Sequence, residues 1–301
     1  MEEADPAKAA AYLERIGYYR LSGYWYPLRQ SRTVPAQGGR AATQVLDTFR
    51  PGASFAQAID LYVFDKRLRL LFLDAVERIE VALRVDIALL LGARDPWAHR
   101  NPFLLHGNFA QRTNRRTGRI DYQDWLARLD QAAARSKEEF VQHFTSRYSG
   151  PLPIWIAVEL WDFGMLSIFL AGMTVADRGT LAAKYGVQRP ELLVGWMRAI
   201  IGIRNVCAHH GRLWNRSPVD QPKPPRVGEI AFLDHLAGDA YAQTRLYGVA
   251  APMQYLLRFI NPTTSWPGRL RQHFDGFPTA PGVAVGQTGF PTGWGNLPLW
   301  T

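Results

Sequence analysis

A short stretch near residue 204 carries the side chains most suited to chemistry. Arg204 and Asn205 are followed by the tandem pair His209 and His210. RNA can be cleaved without a metal ion because its own 2′-hydroxyl attacks the adjacent phosphate. A histidine can take up or supply a proton near neutral pH, and an arginine stabilises crowded phosphate oxygens without titrating. An asparagine can orient either group by hydrogen bonds, so this stretch predicts a ribonuclease site.

The elements around this stretch constrain its geometry. From Pro190 onward, apolar residues recur at helical spacing, which predicts an amphipathic helix that Gly211 ends. On a straight helix Asn205 and His209 share one face, whereas Arg204 and His209 lie about 140° apart. Either the helix distorts near Gly211, or two chains face each other. A symmetric dimer would bring two arginines and two histidines into one cleft, so we expect a homodimer.

The spacing from arginine to histidine is weakly specific by itself. Residues 94–99 and 100–106 match it too, but both contain proline and lack a long amphipathic run, so we interpret them as chance matches. A purely structural alternative for residues 204–209 is a capped helix end, where a histidine interacts favourably with the C-terminal end of the helix dipole. The following residues favour function, because Arg212, Trp214 and Arg216 add charge and an aromatic ring beside the proposed phosphate site. We predict that these three residues bind RNA.

The longest periodic segment, residues 55–91, is the expected scaffold helix. Pro51, Gly52 and a capping Ser54 precede it. Three acid-before-base pairs at i,i+4 spacing indicate a solvated face; they are Asp65 with Arg69, Asp74 with Arg78, and Glu80 with Arg84. Basic side chains on this helix are further candidates for RNA contact, namely Lys66, Arg67 and Arg69.

The remaining chain predicts an all-α fold, a helical bundle with helical additions. Residues 18–27 are dense in aromatics and predict a packed corner, with a base-stacking surface as the alternative. Residues 31–48 predict a mobile loop. The basic run of residues 112–119 predicts a solvated loop, with phosphate contact as its alternative. We expect a helical body over residues 1–270 and an irregular aromatic tail over residues 271–301 that packs on it.

Composition narrows the class of protein. Hydrophobic residues make up 47% of the 301 residues and charged residues 20%, which are globular values, and the net charge of +9 favours a polyanionic partner. A single cysteine excludes an internal disulfide and fits a reducing, cytoplasmic location. The apolar residues 154–173 approach the length of a membrane span, but Glu159 and Asp162 inside them favour a buried helix. Phosphate-binding glycine loops and metal-spaced His/Cys sets are lacking, so we expect no nucleotide cofactor and no metal.

Several blocks in order along nearly the whole chain resemble the abortive-infection Abi family of bacteria, of the AbiD and AbiF type. The blocks are residues 18–25, 61–69, 77–84, Trp155 with Glu159, residues 163–164, 204–210, 213–215 and the tail 289–300. The resemblance implies an all-α HEPN domain within the helical body and a role in phage defence or toxin–antitoxin biology. It also implies a metal-independent endoribonuclease with Arg204 and His209 in a dimer cleft and Asn205 as the polar residue of the motif. A small structured RNA that binds and restrains the protein is a further implication. As the second histidine of the tandem pair, His210 is a further candidate for catalytic support.

One departure from the family pattern concerns the N-terminus. The chain begins later than the pattern leads us to expect, so we expect a segment before the aromatic block to be missing. Two other functions stay open at the level of sequence. One is a non-catalytic RNA-binding module that uses the same basic groove, and the other is a HEPN scaffold that acts through protein partners.

Overall fold

Helices dominate the structure, as the periodicity predicts, so the fold is all-α with one small hairpin. This computed structural model describes residues 1, 5–35 and 41–301. The α-helices are α1 (Pro6–Ile16), α2 (Tyr18–Trp25), α3 (Phe55–Gly92), α4 (Gly107–Ala110), α5 (Asp121–Arg135), α6 (Glu139–Arg147), α7 (Ile154–Ala157), α8 (Phe163–Gly172), α9 (Val175–Lys184), α10 (Pro190–Ala208), α11 (Ala240–Gln243), α12 (Tyr247–Ile260) and α13 (Trp266–Asp275). Short 3₁₀ turns lie at Tyr26–Leu28, Ala98–Arg100, Pro102–Leu104, Val158–Leu160, Ala231–Leu236, Val285–Thr288 and Trp294–Asn296.

Residues 31–48 correct one prediction, because most of them form strands instead of a loop. Strand β1 (Arg29–Pro35) pairs with strand β2 (Ala41–Phe49) in an antiparallel hairpin. Residues 36–40 of the predicted loop lie outside the described residues. Most side chains of both strands remain accessible, so the sequence carries no alternation of apolar and polar residues. Backbone pairing and cross-strand contacts hold the hairpin, such as Arg29 with Asp47 at 2.9 Å.

Helix α3 is the scaffold around which the others pack. Ser54 and Gln57 begin it with a reciprocal capping box, in which Ser54 Oγ accepts from the Gln57 backbone N–H and Gln57 Oε1 accepts from the Ser54 backbone N–H. Helices α2, α10, α12 and α13 all contact α3. A helix surrounded on several sides buries residues around most of its circumference. The bounds agree with the predicted 55–91 to within one residue.

Burial of α3 on several sides corrects the expectation of a solvated charged face. Asp65 is fully buried and Arg69 is 4% exposed, and they form an ion pair at 2.5 Å. The Glu80 and Arg84 side chains are also mostly buried, at 14% and 16% exposure. Only the Asp74–Arg78 pair retains about a third of its exposure. The i,i+4 spacing identified these pairs correctly, whereas their surroundings depend on helices distant in sequence.

The apolar segment 154–173 is buried, as expected, but it is interrupted. A 3₁₀ turn follows helix α7. Helix α8 then begins where the Asp162 carboxylate accepts a hydrogen bond from the Met165 backbone N–H at 2.8 Å. Asp162, one of the two acidic residues that argued against a membrane span, is therefore a helix cap. In the part of the chain that the structure describes, no helix combines the length and the apolar character needed to cross a bilayer.

The C-terminal segment packs its aromatic rings into the main core. Trp294 and Trp300 stack edge to face with ring centroids 4.7 Å apart, and Phe290 lies 4.5 Å from Phe274 of α13. The Trp300 indole N–H donates to the Tyr247 hydroxyl at 3.1 Å. Helix α13 runs across residue 270, the boundary that the sequence suggests between body and tail, and that division stays a prediction.

The packing of the tail predicts a large loss of stability in Trp300→Ala. Trp300 is 1% exposed, so truncation leaves a cavity and orphans the Tyr247 contact, which should lower the free energy of unfolding by about 3–5 kcal/mol. Trp155→Ala is the matched control, because Trp155 is 53% exposed and should cost far less. Urea denaturation followed by circular dichroism measures both variants, and equal losses would show that the tail is not part of the core.

Candidate functional site

Helix α10 delivers the proposed motif to the surface at its C-terminal end. All five positions of α10 that the periodicity predicts to be buried are buried, and Leu192, Met197 and Ala199 are buried with them; the five are Leu193, Trp196, Ile200, Ile203 and Cys207. Asn205 and His209 are exposed and Arg204 is half-buried. The helix is regular through Ala208, so Asn205 and His209 share a face, in agreement with the helical arithmetic.

The helix ends in a Schellman motif that places His210 in an unusual conformation. The His210 N–H donates to the Cys207 carbonyl at 3.1 Å, and the Gly211 N–H donates to the Val206 carbonyl at 2.8 Å. His210 occupies the left-handed position with φ of 56°, where glycine is the usual residue. The sequence assigned the helix stop to Gly211, one residue too late. Keeping a histidine where glycine is favoured costs conformational energy, which points to a use for that side chain.

The segment after the helix is anchored by one buried carboxylate. Asp65 on α3 accepts the backbone N–H of Trp214 at 2.6 Å and that of Leu213 at 3.1 Å. The Tyr24 hydroxyl of α2 donates to the same carboxylate at 2.7 Å, and Arg69 pairs with it. Three stretches that are distant in sequence therefore meet at Asp65.

Three arginines add contacts to backbone carbonyls around this anchor. Arg20 Nη1 donates to the His210 carbonyl at 2.8 Å, and Arg69 Nη1 donates to the Gly211 carbonyl at 3.2 Å. Arg212 lies in the segment after α10, and its Nη1 donates to the Gly23 carbonyl on α2. These bonds fix the backbone on both sides of the histidine pair and so limit where His209 can move.

Burial keeps two ionisable groups near the anchor in their protonated forms. Burial, with the neighbouring Asp65 carboxylate, raises the pKa of Tyr24 above its usual value, so its hydroxyl stays a donor. Burial also raises the pKa of the Cys207 thiol to about 12. Cys207, although inside the motif, is therefore a packing residue and not a nucleophile.

Arg204 lies between a polar neighbour and a buried acid. Its Nη1 approaches Asn205 Oδ1 at 3.4 Å. Burial raises the pKa of Glu80 on α3, and the charges of Arg84 and of Arg204 oppose that rise. Arg84 forms an ion pair with Glu80 at 2.5 Å. The Glu80 carboxylate is thus a nearby counter-charge for Arg204.

The prediction that Trp214 and Arg69 bind RNA is wrong, because both side chains are buried. Trp214 is fully buried, with its ring 6.2 Å from that of Phe277. Arg69 is enclosed and already bonded to Asp65 and to the Gly211 carbonyl. Neither side chain can reach an RNA from these positions, and both build the anchor instead.

The other predicted RNA-binding residues are accessible to different degrees. Arg216 is exposed, with Nη1 close to Gly211, and Arg212 is half-buried and partly occupied by Gly23. Lys66 and Arg67 are exposed, but Arg67 points to the side of α3 opposite Asp65, into a groove with His273. The structure therefore gathers Arg212 and Arg216 at the motif and leaves Arg67 elsewhere.

The two chance matches to the arginine–histidine spacing lie off α10. His99 is fully buried, and burial lowers its pKa to about 3. His106 caps the short helix α4, where its Nδ1 accepts the Asn108 backbone N–H at 3.2 Å. Residues 94–99 follow the end of α3, but the burial of His99 keeps that match from forming an accessible second copy of the motif.

Sequence reasoning missed the residues that position the site, namely Tyr24, Arg20, Asp65 and Glu80. The blocks containing Tyr24 and Asp65 were conspicuous in the sequence, but nothing local indicated that they would meet the segment after α10. An aspartate at helical spacing from Leu61 and Leu68 on a long helix is the signal that could have suggested a buried anchor. Within the described part of the chain, no three His, Cys, Asp or Glu side chains lie close enough together to hold a metal ion.

Fold and site together define an all-helical protein that presents a basic, histidine-bearing motif at the end of a buried helix. The family model of the Abi-like protein matches residues 11–215, which include α2, the anchor and the whole motif. The chain therefore belongs to the Abi-like protein family, and this membership indicates a role in abortive infection. Searches among curated proteins and among solved structures gave no match.

The anchor predicts that Asp65→Asn destabilises the protein. The amide cannot balance the buried Arg69 charge and cannot serve all the donors that the carboxylate accepts, so the free energy of unfolding should fall by about 3 kcal/mol. Asp47→Asn is the control, because the Asp47 side chain in the hairpin is fully exposed in its ion pair. Thermal and urea unfolding measure both, and a loss for Asp65→Asn no greater than for Asp47→Asn would contradict the role of the anchor.

Proposed function

We propose that this protein is a metal-independent HEPN-type endoribonuclease of an anti-phage abortive-infection or toxin–antitoxin system. The proposal is carried by one observation. At the end of a buried helix, Asn205, His209 and His210 are exposed and Arg204 is half-buried. The backbone there is held by hydrogen bonds to Asp65 and by three arginines described above. Preorganised polar groups at an accessible, rigid position are what transition-state stabilisation requires.

The proposed reaction needs only the RNA and these side chains. A histidine removes the 2′-hydroxyl proton, the 2′-oxygen forms a bond to the adjacent phosphorus, and the bond from phosphorus to the 5′-oxygen breaks. A second histidine gives a proton to the departing 5′-oxygen. The products are a 2′,3′-cyclic phosphate and a free 5′-hydroxyl. Arg204 stabilises the phosphorane, and Asn205 orients Arg204 through their contact.

The requirement for a base and an acid supports a dimeric site. His209 and His210 differ in backbone conformation, so they do not present equivalent rings to one phosphate. Two copies of His209 across a symmetric cleft would supply both roles. Along the same exposed face of α10, an added Cβ at Gly195 or Gly202 would meet open space, so a second helix has room to approach closely. We also propose that a structured small RNA binds the protein and controls the enzyme.

Cleavage by purified protein in a chelator tests the site, with His209→Ala beside the wild type. Loss of the catalytic proton transfer should reduce the rate by about 10²-fold or more. His143→Ala is the matched control, since His143 is an exposed histidine on α6. Mass spectrometry should find cyclic-phosphate ends only with active protein. RNA bound but never cut by the wild type would instead favour the RNA-binding module, and a monomeric active enzyme would overturn the dimer.

His210→Gly separates the chemistry of this residue from its fold. Glycine adopts a φ of 56° without strain, so stability should stay equal or rise by up to about 1 kcal/mol. If His210 supports catalysis, the cleavage rate should fall although the protein is no less stable. Unfolding and cleavage assays on the same preparation check this, and a rate equal to that of the wild type would remove His210 from the site.

A further inference from the structure

A cavity away from the histidine pair is lined by basic and polar side chains from five parts of the chain. Its volume is about 510 Å³, and its lining includes His106 beside α4, Asp121 of α5, Ser167 of α8, Arg178 of α9 and Arg198 of α10. The proposed cleavage mechanism uses none of these residues. A concave surface with apolar walls and a few convergent polar groups is typical of a small-molecule site.

The two arginines of this cavity have no acidic partner among the described residues. Arg178 Nε is buried and makes no hydrogen bond there. The adjacent carboxylate, Asp177, is already occupied by Arg94 at 2.8 Å and by the Thr174 hydroxyl. Arg198 is exposed and forms no ion pair within the described ranges. Two positive charges therefore line the cavity without a carboxylate partner in the described ranges, so the cavity favours an anion.

The other polar groups restrict what kind of anion fits. His106 Nδ1 accepts a backbone N–H, so in the neutral ring Nε2 carries the proton and is the donor. Ser167 adds a hydroxyl. Asp121 is the one carboxylate of the lining and already accepts from Asn114 at 2.8 Å, so it favours a ligand that also offers a donor. Ile168 and Phe109 form an apolar wall. Phosphate, hydroxyl and apolar surface occur together in a nucleotide.

A basic hairpin connects two residues of the cavity lining, Phe109 and Asp121. Residues 111–120 leave α4 and return at Asp121, closed by a bridge between Thr113 and Ile120. Arg112, Arg115 and Arg116 on this loop are exposed, and in the described structure none of them forms an ion pair. The sequence left this run open between a solvated loop and a phosphate contact. Because both ends of the run join residues that line a cavity with two arginines, the phosphate contact is favoured.

We propose that this cavity binds the phosphate of a nucleotide unit, held between Arg178 and Arg198, with the sugar or base against Ile168. The nucleotide is either free or part of an RNA strand. Arg198 precedes Asn205 by seven residues on the same face of α10, about 10 Å along the helix axis, so one strand can occupy both places. Binding of the free nucleotide does not depend on the proposed nuclease activity.

Calorimetric titration of the full chain tests the proposal with five probes: inorganic phosphate, AMP, adenosine, succinate and a five-nucleotide RNA. The phosphate-bearing probes should bind, and adenosine and succinate should not. Arg178→Ala and Arg198→Ala should each weaken binding about tenfold or more, because each removes charge-assisted hydrogen bonds. Arg198→Lys should retain part of the affinity. Arg147→Ala, an exposed arginine on α6, is the control and should bind as the wild type does.

The pattern of outcomes distinguishes the sources and decides the proposal. Binding of AMP and phosphate that both variants lose supports a free nucleotide, whereas binding of the oligonucleotide alone, lost in the same variants, supports an RNA strand. Equal binding of succinate, or binding unchanged in both arginine variants, overturns the site. The titrations are repeated on His209→Ala, which lacks the proposed catalytic histidine. Nucleotide binding can then be judged even if the nuclease proposal fails. Arg198 is exposed, so its variants should fold, and circular dichroism checks this.

Discussion

The Asp65 carboxylate is the interaction on which the rest of the site depends. It is fully buried and accepts two backbone N–H groups, one hydroxyl and one guanidinium group. Taking a carboxylate out of water is unfavourable unless hydrogen bonds and opposite charge compensate, and here both do. Because the donors come from α2, α3 and the segment after α10, satisfying this one group forces three distant parts of the chain together. The position of the histidine pair follows from that requirement.

The same arrangement shows how a helical protein holds an irregular segment in place. The backbone after Ala208 leaves the helix, so its N–H and carbonyl groups need partners that the helix no longer supplies. The Schellman bonds satisfy the first of them, and Asp65, Arg20 and Arg69 satisfy the next. Several charged residues of these blocks therefore bond the backbone, while Asn205, His209 and His210 stay exposed.

The sequence predicted the features that local periodicity and capping determine. Helix α3, its Ser54 cap and the buried face of α10 follow from spacing alone, and the resemblance to the Abi family agrees with the family match. The hairpin was missed, since its strands bury too little for alternation to appear. Arg69 and Trp214 were assigned to RNA because charge and aromaticity are visible in sequence while burial is not. Whether an i,i+4 pair such as Asp65–Arg69 faces water depends on helices contributed from far along the chain.

The single cysteine of the chain gives the motif a built-in probe. Cys207 is 2% exposed and lies between Asn205 and His209, so a thiol reagent can reach it only when the end of α10 opens. Since no other thiol competes, the labelling rate reports the free energy of that local opening, as amide exchange does for backbone groups. The rigidity of the motif can thus be measured on the unaltered protein, separately from global unfolding, with and without RNA.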